Sequence, residues 1–103
     1  MTLDEIVSEG VGIWRDHPKL SAADQVVVLA KVLGDLSALA RAKDEQGGRW
    51  TGAQRTEWVR ELGNLVATSA RLIDEANRDC ENAVRAALAS QRAYAAELAG
   101  EQT

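Results

Sequence analysis

Asp35 and Glu61 are the residues whose type and spacing best suit chemistry. Each stands at the margin of an apolar helical stripe. Asp35 lies just beyond Val28 on a stripe centred on Val32, Leu29 and Leu33. Glu61 and Thr68 flank the stripe that begins at Trp58, with Asn64 slightly further round. Two such helices packed antiparallel would bring those edges together, and their oxygens would hold a divalent cation. Magnesium suits the set, because it takes few carboxylates, keeps waters and binds substrate phosphates. The same spacing allows a plainer arrangement. Asp35 can pair with Lys31 one turn back, worth about 0.2–0.5 kcal/mol, and Glu61 can pair with Arg60 of a neighbouring chain or face solvent.

Other reactive side chains carry less. His17 precedes Pro18 in a connector and is the only histidine, so it reads as a turn or capping residue and not a zinc ligand. Cys80 opens a helix, where the N-terminus is expected to lower a thiol pKa. It has no His or Cys beside it to make it a nucleophile. Trp14 and Trp58 fall on apolar faces as core anchors. Trp50 sits in a loop between Arg49 and Thr51, where it either stacks on a nucleobase or packs across a subunit contact.

The elements that must position these groups are helices. Leu3, Ile6, Val7, Val11 and Trp14 follow three-and-four spacing, and so do Val28, Leu29, Val32, Leu33, Leu36, Leu39 and Ala40. Trp58, Leu62, Leu65, Val66, Leu72 and Ile73 make a third series, and Val84, Leu88, Ala95 and Leu98 a fourth, with Tyr94 on its shoulder. Period-two alternation is absent. Thr2 with Glu5 and Thr51 with Gln54 fit the capping box, and Ser21 with Asp24 is a looser version. His17-Pro18, the stretch from Asp44 to Arg49 with Gly47 and Gly48, and Asn77-Arg78-Asp79 mark the joints, with Asp79 as a cap. The tail from Gly100 is expected to fray. Two helices longer than about 20 residues, joined by short turns, predict a four-helix-bundle-like, all-α fold.

Composition narrows the function. At 103 residues the chain is one domain, 1–103, and no charge-free stretch is long enough to cross a bilayer. Twelve basic against sixteen acidic residues give −4, so no nucleic acid is expected as partner. A lone cysteine and an acidic N-terminus without an apolar leader predict a cytoplasmic protein. The fourth helix is rich in alanine, and so thin a domain is expected to be completed by self-association as a homodimer or tetramer.

The segments LAKVLGDLSALARA, from Leu29 to Ala42, and ELGNLVATSARLIDEANRDCENAV, from Glu61 to Val84, resemble the MazG-like all-α nucleoside triphosphate pyrophosphohydrolases. That family pairs an EExGE-like element on one helix with an ExxD-like element on the next. Its acids bind Mg²⁺, which grips the triphosphate and helps to activate water at the α–β linkage. The resemblance implies the all-α NTP pyrophosphatase architecture, a nucleotide as partner, and Asp35, Glu61 and Asn64 around the metal. It assigns Lys31 and Arg92 to the substrate's phosphates; a solvent-facing Arg92 paired with Glu81 or Glu97 is the plainer alternative. Gly34 and Gly63 would serve close helix packing, at about 1 kcal/mol each relative to alanine.

The departures are substantial. Lys31 and Val32 stand where two glutamates are expected, Asp35 replaces a third, and Asn64 replaces the aspartate. Losing three carboxylates removes much of the charge that draws in the ion. The resemblance therefore implies a protein that hydrolyses or binds nucleoside triphosphates with weak or no turnover. The alternative is an inactive, oligomerising or nucleotide-sensing helical module on the same scaffold.

Overall fold

Four helix starts are fixed by side chains that satisfy free amide groups. The Thr2 hydroxyl accepts from the Glu5 N–H at 3.1 Å while the Glu5 carboxylate accepts from the Thr2 N–H at 3.3 Å. Thr51 and Gln54 repeat this reciprocal box at 3.2 and 2.9 Å. Ser21 accepts from the Asp24 N–H at 3.1 Å, and Asp79 from the Asn82 N–H at 3.0 Å. Each such cap is worth about 1 kcal/mol. In the computed structural model, which describes residues 1–15 and 21–101, they open α1 (Leu3–Trp14), α2 (Ala22–Glu45), α3 (Gly52–Glu75) and α4 (Cys80–Glu101). The described residues contain four helices and no strand, as the periodicity predicts. The His17-Pro18 connector lies outside them.

Two helix ends use the same device. After α2, Gly47 and Gly48 take φ of 71° and 86°, and the Gly48 N–H donates to the Lys43 carbonyl at 2.8 Å. After α3, Asn77 takes φ of 58°, its N–H donates to Asp74 at 2.9 Å, and the Arg78 N–H donates to Ile73 at 3.3 Å. Both are Schellman closures, which need a left-handed residue just past the helix. Gly100 and Glu101 continue α4 where fraying was expected, and the last two residues of that tail lie outside the described residues.

α2 and α3 form an antiparallel hairpin, and the backbones of α1 and α4 approach α3 and not α2. The core is thin: Val32, Leu36 and Leu39 from α2, Ala70 from α3 and Cys80 at the start of α4. From Arg85 to Glu101 every residue of α4 is exposed. The bundle is consequently open. Its radius of gyration is 16.8 Å, against about 13 Å for a compact domain of about 100 residues. Gly34 and Gly63 have open space where a side chain would point, so within one chain they do not serve close packing.

The left-handed Asn77 gives a direct check on the α3–α4 joint. Asn77→Gly should leave the thermal midpoint unchanged or raise it, whereas Asn77→Val should cost about 1–2 kcal/mol. Equal midpoints for the two variants, followed by circular dichroism, would refute the positive φ.

Candidate functional site

Contacts at both ends of the α2–α3 hairpin set its register. At one end Gln25, 3% exposed, donates through Nε2 to Glu75 Oε2 at 3.2 Å and accepts through Oε1 from Arg71 Nη2 at 3.1 Å. The Arg71 guanidinium also lies over the Trp14 ring, 5.2 Å from its centroid, tying α1 to the same cluster. At the other end Gln46 Nε2 donates to the Arg49 carbonyl at 2.8 Å and to Gln54 Oε1 at 2.9 Å. Carried to the middle of the hairpin, this pairing places Asp35 level with the turn of α3 from Glu61 to Leu65.

The two carboxylates singled out by spacing are therefore at one height on neighbouring helices, and both are half-buried. Lys31 and Asn64 are exposed. Asp35 makes no ion pair with Lys31; the ion pair found among the described residues is Arg85 with Glu81, at 2.7 Å. Val32, in the register where the resemblance expects a glutamate, is a core residue. Among the described residues no group of three or more His, Cys, Asp or Glu side chains is gathered as a metal site would require.

Trp50 has a role inside the chain. Its ring lies 4.8 Å from that of Trp58 at 37°, its Nε1 donates to the Leu39 carbonyl at 2.7 Å, and Lys43 Nζ sits 4.5 Å from its centroid. It closes the hairpin turn, a use that neither base stacking nor a subunit contact describes. Trp58 is half-buried there, while Trp14 is 48% exposed over Arg71 and is less of a core anchor than its spacing predicts.

Arg85 and Arg92 do share a side of α4. With Leu3, Glu81, Val84 and Leu88 they line an open groove of about 360 Å³ between α1 and α4. Glu81 engages Arg85, not Arg92, which stays exposed. Because α4 does not approach α2, Arg92 is not brought to Asp35 within one chain. No family model, curated protein or solved structure matches this chain.

The cluster of Gln25, Arg71, Glu75 and Trp14 escapes a search for reactive spacing. Its trace is nonetheless in the chain: Gln25 falls seven residues before Val32 and fourteen before Leu39, a polar residue in a buried register. Cys80 also differs from expectation. The helix N-terminus does not dominate there, because burial pushes the thiol pKa up, and Asp79, Asp4 and Asp74 add to the rise.

A raised thiol pKa favours folding while the thiol holds its proton. That contribution is complete below the unfolded value and is lost as pH rises through the folded one. Native Cys80 should therefore react with iodoacetamide more slowly than the denatured chain at about pH 8.5. Identical native and denatured rates would contradict the buried, acid-flanked thiol.

Proposed function

We propose that this chain acts as an assembling helical module, working through association with other chains. The observation that supports this is its surface. The chain exposes 7804 Å², whereas a compact monomer of 11.1 kDa would expose about 5,650 Å². The excess is carried by apolar residues that a self-contained domain would cover, among them Val27, Leu33, Val59 and Tyr94, each more than half exposed. A cleft-bearing enzyme needs a closed frame before it can hold a substrate. Here the frame itself is unfinished, and completing it is the first task that the residues are fitted for. Light scattering at tens of micromolar should return a multiple of the 11.1 kDa chain mass. A single species at the chain mass would refute this function.

A second reading draws on the shared height of Asp35 and Glu61. In it the chain is a MazG-like nucleotide-binding scaffold. Two half-buried carboxylates with the Asn64 amide fit the few protein oxygens that magnesium takes when phosphates supply others. Asp35, Glu61 and Asn64 would hold the ion, which when bound would neutralise phosphate charge and acidify a water. Lys31, one turn from Asp35, would face the phosphates, and an Arg92 from another chain would join it. The associated reaction is cleavage of a nucleoside triphosphate to the monophosphate and pyrophosphate, slowed by the missing acids.

Pyrophosphate release, followed with Mg²⁺ or Mn²⁺ and a panel of canonical and modified triphosphates, tests that reading. Any turnover should vanish in Glu61→Ala. Calorimetry should detect tighter Mg²⁺ binding in Lys31→Glu combined with Asn64→Asp. Val32 is best left alone, since a glutamate there would bury a charge in the core. No gain in metal affinity would sink the second reading and leave the first intact.

A further inference from the structure

One stripe of α3 changes its surroundings half-way along. Val59, Leu62, Val66, Ala70 and Ile73 follow three-and-four spacing on a single face. Where α1 and α4 reach α3, Ala70 is buried at 3% exposure. Nearer the start of the helix the same stripe is open, with Val59 63% and Val66 51% exposed. Gly63 lies between them with open space above it, so a second helix could approach closely.

The outer half of α4 has the matching spacing. Leu88, Gln91, Ala95 and Leu98 share a face, all of them exposed. Laid antiparallel on α3, Leu98 meets Val59, small Ala95 meets large Leu62, and Gln91 meets Val66, because both series step by three and then four. This is the register of a closed α3–α4 hairpin. The outer part of α4 is nonetheless exposed, every residue from Arg85 to Glu101.

We propose that two copies of this chain exchange their α4 arms, the Leu88–Leu98 face of each lying antiparallel on Val59, Leu62 and Val66 of the other. The inference rests on the assembly reading and names its partner and its surface. A two-fold axis makes the exchange reciprocal, so each chain both gives an arm and receives one. A standard interface buries about 800 Å² per partner. The surface excess of about 2,150 Å² per chain is ample for an arm given and an arm received.

The full-length chain with Val59→Cys and Leu98→Cys, mildly oxidised, tests the exchange. A disulfide that doubles the mass on a non-reducing gel supports it; one closed within a single chain overturns it in favour of a folded-back monomer. In scattering, the unaltered chain should be a dimer, and Leu98→Asp should be a monomer with helical content retained. Val59→Asp, on the receiving face, should have the same effect. A dimer indifferent to Leu98→Asp and Val59→Asp overturns the arm exchange but keeps the assembly reading. A monomeric unaltered chain overturns both.

Discussion

The buried amide of Gln25 is the constraint on which the rest of the molecule depends. An apolar seam between two helices tolerates sliding by a turn, because leucine and valine contacts are interchangeable. A buried amide with a guanidinium on its oxygen and a carboxylate on its nitrogen tolerates no such slip, since a shift would leave polar groups unpaired. Gln25 thus acts as polar residues do in the seams of coiled coils, where they specify register. The height of Asp35 relative to Glu61 follows from that choice. So does the position of α1, whose Trp14 ring rests on the same Arg71.

Local chemistry made the elements legible. Thr2, Ser21, Thr51 and Asp79 each mark a helix start, because a short oxygen-bearing side chain before an apolar series has one favourable use. Gly47, Gly48 and Asn77 mark ends for the complementary reason, being residues that tolerate a positive φ. The path of α4 was not legible in this way. Its small residues fit a closed bundle and an extended arm equally.

The candidate site divides along the same line. Helical periodicity put Asp35 and Glu61 at the edges of facing stripes, and the hairpin register keeps them level. Periodicity cannot say what a loop aromatic touches, so Trp50 on Trp58 and Lys43 went unforeseen. Nor can spacing weigh a helix terminus against burial, and at Cys80 burial together with three neighbouring acids outweighs the local dipole.

The indole pair at the hairpin turn has an optical consequence. Trp50 and Trp58 lie close enough to exchange excitation, while Trp14 sits at the other end of the hairpin, over Arg71. The three indoles therefore form a natural two-ended gauge. Emission from the paired rings follows the closing of the turn, and emission from Trp14 follows the docking of the first helix, with no dye attached.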